Sequence, residues 1–259
     1  MSAMPGVVAI NTFREAVRDR VLYNLIFFAL LMIGAAILVG QISIGIDRMV
    51  IINLGLSAIS LIGLVMAIFI GVGLVSKEIE KRTLYSLLAR PIHRWEFLAG
   101  KYAGLLLTLI VNTTFMTLGL AAALFYVGRP LVRGDLSVIV AVYFILLELA
   151  LVTALAMLFS CYSSPMLSTL FTLGVYITGI FAQDIRNAGD LSKSPPIEFI
   201  TRVIYYLVPN FHNFNVISAA AHGESIALAL ILQNTLYTAV YVLLVLLGAT
   251  AIFSGRDLK

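Results

Sequence analysis

The chain has 259 residues, 61% of them apolar and only 12% charged, with 17 lysines and arginines against 13 acids and a net charge of +4. Soluble domains are roughly 45–50% apolar with about a quarter of their residues charged. A mean hydropathy of +1.04 therefore excludes an ordinary soluble fold and predicts one all-α, polytopic membrane domain over residues 1–259. A pI near 9.2 would suggest nucleic acid as the partner of a soluble protein. Here the basic residues sort by loop, as they do when they set membrane orientation, which argues against a nucleic-acid partner.

Residues 1–21 open the chain. Val7, Ile10, Phe13 and Val17 recur at helical spacing while Arg14, Glu15, Arg18, Asp19 and Arg20 take other faces, so an interfacial helix on the inner leaflet is predicted. Six apolar runs of about the 20 residues needed to cross a bilayer follow: Leu22–Val39, Met49–Val75, Ala103–Val127, Leu136–Phe159, Pro165–Ala182 and Ile226–Phe253. The first is longer than a secretory h-region and has no small-x-small cleavage site, so it reads as a retained span. Arg14, Arg18 and Arg20 precede it, Lys77, Lys81, Arg82, Arg90, Arg94 and Lys101 fill the second loop, and Arg256 and Lys259 close the chain. By the positive-inside rule these segments, and both termini, are expected on the cytoplasmic side of the plasma membrane.

The charged island Ser76–Lys101 is too elaborate for a turn. Ile79, Thr83, Leu84, Leu87 and Leu88 make a weakly amphipathic helix, Glu78 and Arg82 form an i,i+4 pair, and Pro91 ends it. A second helix is expected to approach the third span from His93, with Trp95 and Phe97 suited to the headgroup level. Cys161, the only cysteine, sits in the turn Ser160–Pro165 and reads as a small buried thiol.

The segment 183–225 is long for a connection and is expected outside. LSKSPP marks a loop, and Ile197, Ile200, Ile204 and Leu207 predict a helix lying across the outer mouth until Pro209 stops it. Phe211 and Phe214 behind it are either interface anchors or substrate contacts.

Several chemistries are missing. Gly100-Lys101 is followed by Tyr102 and lacks the upstream glycine of a phosphate-binding loop, so this chain is not expected to hydrolyse ATP. His93, His212, His222 and Cys161 never form metal-ligand spacing, the methionines are scattered, and no grouping suggests a hydrolase.

Polarity instead runs in stripes: Asn53, Ser57, Ser60, Ala67 and Gly71; Gly104, Thr108, Asn112, Gly119 and Ala123; Ser164, Ser168, Thr172, Tyr176 and Gly179; Asn234, Thr238, Tyr241 and Gly248. Close helix packing and a substrate pathway call for the same residues. Asn53, Ser57, Asn112, Thr172, Asn234 and Glu148 are the pathway candidates. Glu148 is the only acid deep within a span, where an acid costs about 2.5–3.5 kcal/mol on the insertion scale. It faces a cavity or partners a hydroxyl, or it is protonated within a helix contact.

The run KEIEKRTLYSLLARPIHRWEFLAGKYAGL resembles the loop between the second and third spans of type-2 exporter ABC permeases, in its Glu-rich start, its Thr after the basic pair, its Leu-Leu, its Pro and its Lys-x-x-Gly. YLVPNFHNFN, Tyr206–Asn215, is similar to the outer segment of a subgroup named for multicopper-enzyme maturation, although the chain lacks clustered Cys, His or Met to handle copper. The resemblance implies a non-catalytic permease with a cytoplasmic coupling helix, in which Lys77, Glu78, Glu80, Lys81, Arg82 and Thr83 dock an ATP-binding cassette subunit. It also implies two such subunits, binding ATP and Mg, a second permease copy or a related chain, and outer re-entrant or interfacial helices before span six. An extracytoplasmic protein is a further partner to consider. The rival readings are an ion-coupled secondary transporter using Glu148 and a non-transporting membrane assembly factor.

Overall fold

The computed structural model describes residues 4–16, 47–80, 94–126, 136–192 and 194–255, together with Phe27, Phe28, Leu30, Leu31, Met32, Gly34, Ala35 and Leu38. Among them there is no strand. The helices are α1 (Met4–Ala16), α2 (Asp47–Glu80), α3 (Arg94–Tyr126), α4 (Leu136–Ser160), α5 (Pro165–Ile180), α6 (Ala182–Leu191), α7 (Pro195–Leu207), a 3-10 turn (Phe211–Phe214), α8 (Ile217–Ala221) and α9 (Leu228–Gly255). Four of them, α2, α3, α4 and α9, are each long and apolar enough to cross a membrane, and the bent pair α5–α6 makes a fifth candidate. The expected first span, Leu22–Val39, lies outside the described residues apart from the eight positions just named, as do Lys81–His93.

Helix α4 is the centre of the bundle. It packs against α2, α3, α5, α8 and α9, and 72% of its most apolar stretch is buried, against 28% for α9. An apolar sequence gives no hydrophobic drive between helices in lipid, so contact depends on how closely backbones approach. Gly71 supplies one such approach, since a Cβ there would stand 3.0 Å from that of Ala156 on α4. Nearby the Ser160 hydroxyl donates to the Val72 carbonyl at 3.1 Å. The Tyr102 hydroxyl joins α3 to α4 by donating to the Ala150 carbonyl at 3.1 Å.

Helix α1 lies along α3. The contact is made at Gly104, where a Cβ would meet the Ala9 carbonyl at 2.5 Å and Thr12 Cβ at 2.7 Å. Thr12 is buried there, while Val7 and Ile10 point away from the protein and are half exposed. Trp95 is exposed, but Phe97 turns inward, stacks on Phe253 of α9 at 6.4 Å and lies under the Lys101 ammonium. Cys161 is buried in the turn after α4.

The apolar runs and the helices differ in length where charge begins. Helix α2 continues without a break to Glu80, and α3 starts at Arg94 rather than Ala103. At 1.5 Å per residue, 34 and 33 residues are about 50 Å long, well beyond the roughly 30 Å hydrocarbon core. Helix α5 is the opposite case. Its 16 residues reach only about 24 Å before a 59° bend at Phe181 leads into α6.

Helices α6 and α7 pack on each other, with Gly189 against Thr201 and the Arg186 guanidinium over the Tyr205 ring at 4.7 Å. Thr201, Tyr205 and Glu198 share one side of α7; the opposite side carries Phe199, Ile200, Val203, Tyr206 and Leu207, all exposed. An exposed apolar face of this kind marks a surface that meets a membrane or another protein.

Candidate functional site: a cavity beneath residues 208–221

After α7 the chain turns back into the bundle. The 3-10 turn touches α4, α5 and α6, and α8 touches α2 and α4. Gly179 lets this segment in: a Cβ on it would collide with the Pro209 carbonyl and come within 2.5 Å of Phe211 Cδ2. Phe211 and Phe214 are thus buried inside the protein rather than anchored at its surface. The Phe211 ring lies 5.0 Å from that of Tyr176 and 6.4 Å from that of Phe214, and Phe214 lies 6.3 Å from Tyr237 of α9.

Non-helical backbone inside a membrane bundle is tolerated only where it is satisfied by protein or lines a cavity, and both conditions hold. The Asn210 amide donates to the Tyr237 hydroxyl at 2.9 Å, and the His212 amide to Asn210 Oδ1 at 3.1 Å. The Tyr241 hydroxyl donates to the Leu207 carbonyl at 2.6 Å. Beneath the segment lies a cavity of about 130 Å³ lined by Ser60, Ile145, Glu148, Tyr176, Ile180, Phe211, His212, Phe214, Asn215 and Ile217.

Glu148 is near the midpoint of α4 and is buried. Its Oε1 accepts a 2.8 Å hydrogen bond from the Tyr176 hydroxyl of α5. The stripe Ser168, Thr172, Tyr176, Gly179 is what presents that hydroxyl. Ser168, Thr172 and Gly179 are buried, and this fixes the rotation of α5 so that Tyr176 falls on the same face. Glu148 thus both lines a cavity and partners a hydroxyl.

The other pathway candidates are not brought to this cavity. Asn53 and Ser57 are one turn apart on α2, with the Ser57 hydroxyl donating to Asn53 Oδ1 at 3.4 Å. Thr172 is buried and donates to its own helix at the Ser168 carbonyl, 2.7 Å away, and Asn234 likewise to Leu230 at 3.0 Å. Such back-bonding uses up the Thr172 donor and one of the two Asn234 donors within the helix. Asn112 is fully buried. Its Nδ2 donates to Met66 Sδ at 2.9 Å and reaches Met116 Sδ at 3.5 Å, and its Oδ1 has no partner among the described residues. A crevice beside Met66, between α2, α3 and α4, has no room for water.

Ser60 and Tyr176 belong to the polar stripes of the sequence, yet nothing in their spacing singles them out from their neighbours. The Tyr176–Glu148 hydrogen bond, and the cavity that Ser60 shares with them from a third helix, are properties of the packed bundle. Of the expected docking residues, Lys77, Glu78 and Glu80 fall in the last turns of α2, and Lys81, Arg82 and Thr83 lie outside the described residues. Among the described residues no group of three His, Cys, Asp or Glu side chains could hold a metal.

No curated protein matches this sequence significantly. The sequence model of the family described as ABC-2 family transporter protein matches residues 7–258, nearly the whole chain. With four to five helices among the described residues long and apolar enough to cross a membrane, the chain belongs to the ABC-2 transporter family, the membrane-embedded components of ABC transporters.

Proposed function

We propose that this chain is the permease subunit of an ATP-driven exporter in the plasma membrane. A separate ATP-binding cassette subunit, present in two copies, hydrolyses ATP with Mg, and two permease chains, alike or related, form the pathway. Each permease has six spans, counting Leu22–Val39 as the first, with both termini in the cytoplasm. Residues 1–21 and α7 lie along the membrane surfaces, as the outward apolar positions Val7, Ile10, Phe199 and Val203 favour. Lys77, Glu78, Glu80, Lys81, Arg82 and Thr83 make the polar docking contacts.

The observation that carries the reading is the overrun of α2 and α3. Both are about 20 Å longer than the hydrocarbon core, and Lys77, Glu78, Glu80, Arg94, Glu96 and Lys101 of the charged island belong to their adjoining ends. Two rigid helices that project together offer a second subunit something to push on, and closure of the motors tilts them between two states.

Purification in mild detergent tests this. A P-loop ATPase is expected to co-purify, with vanadate-sensitive ATPase activity that is lost when Glu78 and Glu80 are replaced by Lys while folding is kept. Isolation with no ATPase, or unchanged stimulation in that variant, would overturn it. The burial of Glu148 beside a cavity favours one second reading, ion-coupled transport; this predicts uptake or efflux that needs no ATPase and collapses with a protonophore.

A further inference from the structure

The cavity beneath residues 208–221 combines features that select a particular chemistry. Among the described residues its lining holds one acid, Glu148, and no lysine or arginine. The one described partner of that acid is the Tyr176 hydroxyl, so among the described residues no cation faces a charged carboxylate here. Ser60, His212 and Asn215 give the wall further polar atoms, and the rest of it is aromatic and aliphatic: Tyr176, Phe211, Phe214, Ile145, Ile180 and Ile217. Aromatic faces attract cations, and more strongly where water is excluded.

The volume agrees. About 130 Å³ would hold on the order of ten waters by the same measure, which is space for a compact organic group. His212 and Asn215, both exposed, stand at the rim, so the cavity has a way in. The irregular backbone of 208–216 forms its roof, where side chains can be set at angles a continuous helix does not offer.

We infer that this cavity is a binding site for a small organic cation, an alkylammonium group whose charge meets Glu148 and whose carbon substituents meet Tyr176, Phe211 and Phe214. The inference rests on the permease reading only in treating the bound cation as cargo. The ammonium group comes either from a free amine or from the headgroup of a choline or ethanolamine lipid.

The test uses the full-length protein in phosphatidylglycerol nanodiscs, with radiolabelled tetramethylammonium as the probe in equilibrium dialysis. Saturable binding is expected, displaced by choline but not by its neutral isostere 3,3-dimethylbutan-1-ol. Glu148→Gln should weaken it by at least about tenfold, as expected for removing one partner of a buried charge pair. Phe211→Leu, which leaves the carboxylate in place, should weaken it by about threefold or more, and it decides the matter should Glu148→Gln fail to fold. No saturable binding, equal displacement by the neutral isostere, or unchanged binding in both variants overturns the inference.

Repeating the measurement in phosphatidylcholine discs separates the sources. A severalfold loss of apparent affinity marks the lipid headgroup as occupant, and an unchanged affinity marks the free amine. No ATPase is present in the assay, so failure here leaves the permease reading standing, whereas absent ATPase coupling with normal tetramethylammonium binding overturns that reading alone.

Discussion

The Tyr176 hydroxyl and the Glu148 carboxylate are 2.8 Å apart, the one donating to the other across the α4–α5 contact. Hydrogen bonds between membrane helices are worth about 0.6 kcal/mol on average and up to about 1.7. Tyr176→Phe should therefore lower stability by about 1 kcal/mol, a fall of roughly 2–4 °C in the detergent denaturation midpoint for a chain of this size. Glu148→Gln keeps an acceptor for the same hydroxyl and should cost less. Equal losses would mean that the charge, rather than the bond, holds α5.

Two glycines on α5 should respond in opposite ways to the same methyl group. At Gly179 the added Cβ meets the Pro209 backbone, which cannot swing aside as a side chain would, so Gly179→Ala is expected to lift the 208–221 segment. A Cβ at Gly174 would meet no described residue within 4 Å, and Gly174→Ala should stabilise the helix by up to about 1 kcal/mol. Hydrogen exchange of residues 208–221, faster in the first variant and unchanged in the second, is the measurement.

Asn112 separates packing from transport. Among the described residues its Oδ1 is buried without a partner and its amide meets only methionine sulfurs, which are weak acceptors. Replacing it by Leu, a side chain of similar size, removes an unsatisfied polar group whose burial costs about 1–3 kcal/mol. Asn112→Leu is expected to raise the melting point; a fall would show that Asn112 has a polar partner in the working protein.

The α1–α3 contact depends on one missing side chain. Gly104→Val would place its Cβ at 2.5 Å from the Ala9 carbonyl, and overpacking of this kind typically costs about 1–3 kcal/mol. Helix α1 should detach while α3 and α4 stay together. Faster proteolysis within residues 4–16, with the denaturation midpoint of the remainder little changed, is the expected result.

The outward face of α7 can be asked what it touches. With Trp95 replaced by Phe, a Phe199→Trp variant carries one tryptophan, at a site now 70% exposed. If the face lies in lipid, brominated phospholipid should quench its fluorescence strongly. A signal insensitive to bromine would place the face against protein or water.

The long spans were legible because lipid demands uninterrupted apolar sequence. Helices α2, α4 and α9 start within two residues of the runs that predict them, and α3 extends further because Arg94, Glu96 and Lys101 belong to its first turns. Helix α6 was not legible. Its sequence AQDIRNAGDL is polar and reads as loop, and it packs as a helix against α7 through Gly189. The 59° bend at Phe181 has no proline to announce it.

At the site, Glu148 stood out as a buried acid, but a hydroxyl 28 residues away on another helix is found only in three dimensions. Phe211 and Phe214 show why the bland reading of aromatics near a span can mislead. Residue type is the same for an anchor and for a cavity wall, and only the close approach at Gly179 decides between them.

Helix α2 has a consequence of its own. Ser60, in the cavity wall, and Glu80, at the far end, are on one unbroken helix and about 30 Å apart along it. A tilt of about 10° about Ser60 would carry the Glu80 end through about 5 Å. Linkage makes such coupling reciprocal: any occupant of the cavity that favours one tilt must bind more tightly when the other end is held in that tilt. Affinity at the cavity would then report the nucleotide state of a docked motor, read from the opposite end of the helix.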